Sequence, residues 1–319
     1  MARVAAIDCG TNSIRLLVAD VTVRDDGTAW LRDVHREMRV VRLGEGVDAT
    51  GTLSGAALER TRAALADYTA IAVRKGVQRA RMVATSATRD ATNRADFFAM
   101  TEQVLGAPAE VITGDEEARL SFAGAVSELD PADGPFLVAD VGGGSTELVL
   151  GTWDGRTVDV VAAKSVDIGC VRLTERCLHG DPPTRAEIDE ATKVACDVLA
   201  PAFAEVPVAR TGTFIGVAGT VTTLSAINME LPDYDPEILH LSRIPLAAVR
   251  ATTARLLAMT KRERAEIGSM HPGRVDVIGG GAIVVRTIAD ELAARAAVTE
   301  LIACEHDILD GIALALAVP

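Results

Sequence analysis

Short apolar runs separated by polar, glycine-rich segments dominate the pattern of this chain, and two pairs of these runs share one layout. Residues 4–7 and 14–18 flank one polar segment, and residues 136–139 and 148–150 flank another. Two short β-type runs on either side of a tight turn are typical of an antiparallel hairpin. The pattern therefore predicts two similar hairpins, one near the N-terminus and one near the middle of the chain.

Stretches between these hairpins show apolar residues at helical spacing. In residues 54–75 apolar side chains recur every three or four positions, and Gly76 follows. Similar patterns predict further helices over 93–105, 114–129, 184–203, 247–259, 282–292 and 301–317, and strands over 30–41, 81–85, 109–112 and 158–166. The alternation of strands and helices indicates an α/β fold.

The clearest interruption of the pattern is the segment Asp-Pro-Ala-Asp-Gly-Pro at residues 130–135. Proline, glycine and aspartate in such a cluster favour a connection between folding units. We expect a first domain over residues 1–125 and a second over residues 126–300. A C-terminal helix over residues 301–319 is expected to pack back across the first domain.

The two predicted hairpins carry the same polar residues at their tips. Asp8 is followed by glycine two positions later and by serine five positions later, and Asp140 is followed in the same way. Consecutive backbone N–H groups in a glycine-rich turn form a concave site for an anion. A lone triple glycine is more often an ordinary turn, but the second copy favours two related halves that hold a phosphate ligand between them.

The residues around the two tips include candidates for a metal ligand, a general base and a phosphate-binding arginine. Asp8 and Asp140 would repel each other unless a cation lies between them, and hard oxygen ligands suit Mg²⁺. Glu117 lies in the first turn of a predicted helix and is the candidate general base for water. Acidic residues there also complement the helix dipole, which is enough to explain Asp115 and Glu116. Arg89 follows a predicted strand in a polar loop, residues 86–90, and is either a phosphate clamp or a solvated side chain.

Composition narrows the classes of partner. The chain has 319 residues, 49% hydrophobic and 3% aromatic, and a net charge of −13, which weighs against nucleic-acid and anionic membrane partners. No apolar run reaches the roughly 20 residues that span a bilayer, so we expect a cytoplasmic protein. The five cysteines form no CxxC pair, and the five histidines show no HxxxH or HxH spacing. Neither a zinc centre of cysteines nor a histidine metal site is expected.

Five motifs together resemble the exopolyphosphatase and guanosine pentaphosphate phosphohydrolase family, which belongs to the actin, sugar kinase and Hsp70 superfamily. They lie at residues 8–13, 84–89, 114–119, 140–147 and 169–175. The resemblance covers nearly the whole chain in order. It implies an α/β fold with two ribonuclease-H-like (actin-like ATPase) domains that flank a central cleft. Longer members carry additional C-terminal helical domains, so this chain resembles the short form, and a homodimer is left open.

The resemblance also implies roles for residues. Glu117 matches the catalytic base, Asp140, Gly142 and Glu147 match positions associated with metal and phosphate, and Arg89 and Arg274 match arginines that contact polyphosphate. Together with the tip residues, the predicted metal ligands for Mg²⁺ are Asp8, Asp140 and Glu147. The predicted phosphate-binding residues are Gly10, Thr11, Asn12, Ser13, Arg89, Gly142, Gly143, Gly144, Ser145 and Arg274.

The function predicted from these residues is Mg²⁺-dependent release of terminal orthophosphate from inorganic polyphosphate. The nearest alternative is hydrolysis of the 5′ γ-phosphate of guanosine pentaphosphate, a stringent-response nucleotide. The scarcity of aromatic side chains that could stack on a base favours polyphosphate. A superfamily kinase is a further alternative, because residues 216–222 form a third glycine turn. A polyphosphate- or nucleotide-binding sensor without activity is the last.

Overall fold

Two mixed β-sheets form the framework of the protein. The computed structural model describes residues 2–25 and 28–317. The strands are β1 (Ala2–Cys9), β2 (Ser13–Val23), β3 (Ala29–Val40), β4 (Arg79–Ala84), β5 (Glu110–Val111), β6 (Phe136–Val141), β7 (Thr146–Trp153), β8 (Val158–Val166), β9 (Thr213–Val217), β10 (Ser242–Pro245) and β11 (Glu300–Ala303). The first sheet has the order β3-β2-β1-β4-β5, and the second has the order β10-β11-β9-β6-β7-β8.

The two sheets repeat one topology. In each, a three-stranded antiparallel meander (β1 to β3, or β6 to β8) is extended by parallel strands on the side of its first strand. β4 and β5 extend the first sheet, and β9 and β11 extend the second. This repetition explains why the sequence contains the same hairpin pattern twice.

Helices cover both sheets. They are α1 (Val47–Thr50), α2 (Gly55–Arg74), α3 (Ser86–Asp90), α4 (Arg94–Leu105), α5 (Gly114–Val126), α6 (Cys170–Cys177), α7 (Arg185–Glu205), α8 (Ala218–Asn228), α9 (Pro236–Leu239), α10 (Leu246–Ala258), α11 (Lys261–Ala265), α12 (Ile278–Arg295) and α13 (Ile308–Ala317). No helix in the described part of the chain is long and apolar enough to cross a membrane.

Strand β1 shows why its sequence is a continuous apolar run rather than an alternating one. Ala5 and Ile7 pack into a cluster with α2, and Val4 and Ala6 pack into a cluster with Ile312 of α13 on the opposite face. A strand that is covered on both faces has no polar face to alternate with. The strand therefore lies at the centre of the first half, and its C-terminal end brings polar residues to one edge of the sheet.

Helices α5 and α13 each pack on the sheet of the other half. The apolar face of α5, with Ala118 and Phe122, packs on β6, β7 and β9 of the second sheet, whereas α13 packs on β1 and β2 of the first. The expected domain boundary after residue 125 assigns α5 to the first domain, whereas the apolar contacts of α5 are with the second sheet. The segment Gly114–Val126 follows the last strand of the first sheet but has its apolar partners in the second.

Three local predictions were wrong. Residues 86–90 form the short helix α3 rather than a loop. Residues 301–319 are not one helix, because 300–303 form β11 in the second sheet and the helix begins at Ile308; residues 318 and 319 lie outside the described part. The apolar run of β11 was too short to be distinguished from the start of a helix. Helix α12 begins at Ile278, so it includes the triple glycine 279–281.

Gly124 of α5 and Gly311 of α13 allow these two helices to approach closely. A Cβ on Gly124 would lie 1.9 Å from the Asp307 carbonyl oxygen, and one on Gly311 would lie 2.0 Å from the Leu120 carbonyl oxygen. Gly124→Ala is expected to lower the free energy of unfolding by about 1–3 kcal/mol, because the backbones must separate.

Urea denaturation checks this expectation against Gly55→Ala, in which a new Cβ at the start of α2 meets nothing within 4 Å. Alanine favours a helix by about 1 kcal/mol over glycine, so Gly55→Ala is expected to be neutral or stabilising. Equal stabilities of the two variants would contradict the close packing of α5 and α13.

Candidate phosphate and metal site

The same turn closes the tips of the two hairpins. The Gly10 N–H donates to the Ser13 carbonyl oxygen at 3.0 Å, and the Gly142 N–H donates to the Ser145 carbonyl oxygen at 3.1 Å. The two turns therefore share a hydrogen bond as well as a sequence pattern. This bond holds each chain reversal so that the residues between its ends project from the sheet edge.

The two tips contact one another across the cleft. A Cβ on Gly143 would lie 2.9 Å from the Thr11 Cβ, and one on Gly144 would lie 2.7 Å from the Ser86 Oγ. The Thr11 and Ser86 hydroxyl oxygens are 2.8 Å apart. Only residues without a Cβ permit this approach, so the glycines of the second tip bring the two halves together.

The orientation of the second tip is set by helix α6. The Cys170 N–H donates to the Gly142 carbonyl oxygen at 2.9 Å, and the Val171 N–H donates to the Gly143 carbonyl oxygen at 2.9 Å. A trans peptide places its N–H opposite to its C=O. The N–H groups of Gly143 and Gly144 therefore point away from α6, as a turn that presents donors to an anion requires.

A cavity of about 70 Å³ lies between the tips. One water requires about 10–15 Å³, so the cavity has room for about five waters. A phosphate group would take the place of some of them. Most of the predicted site residues line it: Asp8, Gly10, Thr11, Asn12, Ser13, Glu117, Asp140, Gly142, Gly143, Ser145 and Arg274. The structure thus brings together residues from both hairpins, from α5 and from the segment before α12.

Buried carboxylates lie in the wall of this cavity. The Asp8 Oδ2 accepts a hydrogen bond from the Arg15 Nη2 at 2.7 Å, and the Asp140 Oδ2 accepts one from the Ser121 Oγ at 2.7 Å. Burial raises the pKa of both Asp8 and Asp140. The Asp8 Oδ1 and the side-chain oxygen and nitrogen of Asn12 are buried, with no hydrogen-bond partner in residues 2–25 and 28–317.

Glu117 lies one turn into α5. The helix begins at Gly114, where the Thr113 hydroxyl oxygen accepts from the Glu116 N–H at 3.2 Å. The Glu117 side chain is buried and its Oε2 accepts from the Arg89 Nη1 at 3.0 Å. Burial raises the pKa of Glu117, the Arg89 guanidinium opposes this rise, and the Asp140 carboxylate adds to it. A carboxylate with a raised pKa in a cavity is well suited to accept a proton.

Arg274, which precedes α12, also lines this cavity. Its guanidinium lies against Gly219, where a Cβ would be 1.7 Å from the Arg274 Nη2. Among the described residues it makes no ion pair within 4.0 Å, and burial lowers its pKa. Ala218, which joins β9 directly to α8, has a φ of 67°, a left-handed conformation that is uncommon for a residue with a side chain. A partly buried arginine that forms no ion pair with the described carboxylates is suited to bind an anionic ligand.

Comparisons with known proteins identify the family of this chain. A model described as the Ppx/GppA phosphatase family matches residues 21–316. This chain belongs to the Ppx/GppA phosphatase family. Exopolyphosphatase 2 of Mycobacterium tuberculosis is 56% identical over 324 residues, which cover 99% of each chain. The recognition made from the five motifs is therefore confirmed, and exopolyphosphatases of this family generally depend on a metal ion.

Solved structures give the same result for the fold. An exopolyphosphatase-like protein of 43% identity superposes with a TM-score of 0.92, covering 99% of this chain and 97% of the other. The Aquifex aeolicus PPX-GPPA enzyme, 29% identical, gives a TM-score of 0.78 over 98% of this chain and 99% of the other. The predicted two-domain, actin-like α/β fold is confirmed.

Three predicted site residues lie outside the wall of the cavity in this Ppx/GppA protein. Arg89 donates to the Ile112 carbonyl oxygen and to Glu117, Gly144 lies between the two halves, and the buried Glu147 accepts from the Ser165 Oγ at 2.7 Å. In this geometry Arg89 orients Glu117. Direct phosphate contacts by Arg89 and Gly144, and metal ligation by Glu147, remain predictions.

The sequence reasoning missed a pair of residues beside the cavity. Arg15 lies opposite Asp8 in the β1–β2 register and also pairs with Asp307, which precedes α13. In the second hairpin the position equivalent to Arg15 is Glu147, opposite Asp140. Superposing the two hairpin sequences could have drawn attention to Arg15, because it lies seven positions after the aspartate. Nothing in the local pattern distinguishes Asp307.

A larger cavity of about 510 Å³ adjoins the cavity between the tips. Both cavities have Arg15, Ala218, Gly219 and Arg274 in their walls. The larger one also has Tyr234 in its wall, although the sequence suggested no aromatic side chain placed for a base. The cavity between the tips, called the phosphate cavity below, therefore adjoins a space large enough for the rest of an extended ligand.

Proposed function

We propose that this protein is an exopolyphosphatase that hydrolyses terminal orthophosphate from inorganic polyphosphate. The observation that carries the proposal is the presence, in one cavity, of the buried carboxylates Asp8, Asp140 and Glu117 together with Arg274, a partly buried cation that makes no ion pair within the described chain. Such a cavity combines a position for a phosphate anion with a group that accepts a proton from water. Family membership and the name of the M. tuberculosis relative support the same activity.

Glu117 is the proposed general base. Its carboxylate takes a proton from water as the water oxygen bonds to the terminal phosphorus and the bond to the bridging oxygen breaks. The shortened chain leaves with that oxygen as the new terminal phosphate oxygen. Arg89 holds the Oε2 of Glu117, and Arg274 and the N–H groups of the second tip bind the phosphate oxygens, which carry the charge in phosphoryl transfer.

The proposed cofactor is Mg²⁺, held by Asp8 and Asp140. The residues fit a hard divalent cation, because the Asp8 Oδ1 has no partner in the described chain and two buried carboxylates share the cavity. When bound, the ion would neutralise phosphate charge and withdraw electron density from the reacting group. Its positive charge would also favour the ionised form of Glu117. The two tips would hold it between the halves of the protein.

Hydrolysis of guanosine pentaphosphate is the second candidate, favoured by the larger cavity. Its wall includes Tyr234, Met38 and Met270, side chains that suit a nucleoside better than a bare phosphate chain. The Tyr234 hydroxyl donates to the Glu305 carboxylate and lies 2.7 Å from the Thr222 Oγ1, and these two contacts fix the ring at the wall. The same catalytic groups would serve either substrate.

Parallel assays of orthophosphate release test the proposal. Polyphosphate, guanosine pentaphosphate and ATP would be supplied at equal concentrations with Mg²⁺, and kcat/KM compared. We expect the highest value with polyphosphate. Release confined to guanosine pentaphosphate would reject the first candidate in favour of the second, consumption of ATP only with an added acceptor would indicate a kinase, and release from none would indicate a sensor.

Gly219→Ala tests the role of Arg274 without changing the arginine itself. The new Cβ would occupy the place of the guanidinium, which is the far end of a flexible side chain. We expect a KM for polyphosphate raised about 10-fold, the usual value of one lost charge-assisted contact, with little change in the free energy of unfolding. Steady-state kinetics and urea denaturation measure both quantities.

Arg274→Met is the matched variant for this test, and the two changes are expected to raise KM to a similar extent. An unchanged KM in Arg274→Met would show that the guanidinium does not contact the substrate.

A further inference from the structure

Three metal-ligating side chains from distant parts of the chain meet outside the site described above. Glu128 follows α5, His240 follows α9 and His306 precedes α13. The His240 Nε2 lies 3.2 Å from the Glu128 Oε2, and the His306 Nδ1 lies 3.8 Å from the Glu128 Oε1. One donor atom from each residue lies within 4.8 Å of the other two. None of the three lines the phosphate cavity or the larger cavity beside it.

We propose that Glu128, His240 and His306 form a second metal site, for a transition-metal ion of the Zn²⁺ class. Zinc bonds of about 2.0–2.2 Å at tetrahedral angles separate neighbouring ligand atoms by roughly 3.3 Å, so only small side-chain movements are needed. Imidazole ligands favour zinc, nickel, copper or iron over magnesium. The site therefore differs in chemistry from the oxygen-lined cavity between the hairpins.

The surroundings leave an ion access to the three side chains and leave room for a fourth ligand. The side chains of His240 and His306 are each 21% exposed, and that of Glu128 is 51% exposed. The centroids of the two imidazole rings lie 4.4 Å apart, and both rings lie beside the Glu128 carboxylate. A cavity of about 40 Å³ borders Glu128 and His306, and this is room for the water that completes a three-ligand site.

The second nitrogen of His240 also has a partner suited to the bound form. Its Nδ1 accepts from the Glu305 N–H at 3.3 Å and lies 3.7 Å from the Cys304 Sγ. Binding through Nε2 requires the proton on Nδ1, so the long contact with the Glu305 amide is given up and the Cys304 sulfur accepts instead. Such outer contacts fix the orientation and tautomer of a ligating histidine.

A metal ion at this site would link α5 to the segment before α13, and both of these lead to the phosphate cavity. Glu117 lies at the start of α5, and Glu128 lies just beyond its end. His306 immediately precedes Asp307, the partner of Arg15 at the cavity. A bound ion would therefore fix the C-terminal end of α5 against the start of α13, and its expected effect is on stability rather than on the reaction.

Zn²⁺ titration of the full-length protein by calorimetry tests the proposal, with millimolar Mg²⁺ present to occupy the oxygen site. We expect one Zn²⁺ per chain and a rise in Tm of about 3 °C or more at saturation. Glu128→Gln and His306→Gln are each expected to weaken Zn²⁺ binding at least about 10-fold. His179→Ala, which removes an exposed histidine outside the cluster, is the control and should bind like the wild type.

Co²⁺ provides an independent readout, since its visible absorption reports a four-coordinate site with imidazole ligands. The proposal is overturned if wild-type protein shows no saturable Zn²⁺ binding. It is overturned equally if binding persists in Glu128→Gln and His306→Gln, or is lost only in Asp140→Asn. Circular dichroism verifies the fold of each variant, and Glu128→Gln, at a half-exposed position, decides the result if His306→Gln does not fold.

Discussion

Replacing Glu117 with glutamine is expected to lower kcat for orthophosphate release from polyphosphate about 10²–10⁴-fold, the usual contribution of a general base. Glutamine has nearly the same shape, so the protein should fold and bind polyphosphate. Its amide cannot accept the proton of the attacking water. Burial already raises the pKa of Glu117, and the glutamine variant resembles the protonated, inactive form of the side chain.

Glu116→Gln is the matched control for this experiment. Glu116 is the preceding residue in the same helical turn, its side chain is 44% exposed, and it pairs with Arg81 rather than with the cavity. Stopped assays of orthophosphate and equilibrium binding of polyphosphate should be made on both variants. A Glu117→Gln protein that retains more than about a tenth of the wild-type kcat would show that another group activates the water.

Asp140→Asn is expected to lower the affinity for Mg²⁺ by about 100-fold or more, because a carboxylate ligand is lost. The variant should also have a higher Tm than the wild type when no divalent cation is present. Burial and the neighbouring carboxylates raise the pKa of Asp140, which means that its charge destabilises the folded protein at neutral pH. Removing that charge relieves repulsion in the cavity.

Thermal unfolding over a range of Mg²⁺ concentrations measures both effects without depending on activity. Ser121→Ala serves as the graded control, since it removes only the hydroxyl that donates to the Asp140 Oδ2. It should weaken Mg²⁺ binding by less than Asp140→Asn. If Mg²⁺ stabilises Asp140→Asn as strongly as the wild type, the ion is held elsewhere.

The hairpins could be predicted because all the information for them is local. Apolar runs on both sides of a glycine turn determine β1 with β2 and β6 with β7. The shared positions of Asp8 and Asp140 indicated that the two hairpins face each other, and both aspartates line one cavity. Glu117 could be proposed because the start of its helix follows a strand. The family motifs then gave these residues roles that their spacing alone left open.

Features that depend on tertiary packing could not be predicted in this way. Nothing in residues 114–126 shows that the apolar face of α5 packs on the second sheet. The pairing of Arg15 with Asp307 joins residues 292 positions apart. The cluster of His240 and His306 with Glu128 escaped the search for histidine spacing because each residue comes from a different segment.

The most direct test of the account is hydrolysis of polyphosphate by the wild-type protein in water enriched in ¹⁸O, with mass analysis of the orthophosphate released. If water activated in the cavity attacks the terminal phosphorus, each orthophosphate released in a first turnover carries one oxygen from the solvent, and Glu117→Gln releases almost none. Orthophosphate without solvent oxygen, or no orthophosphate from polyphosphate at all, would contradict the proposal that this cavity is the active site of an exopolyphosphatase.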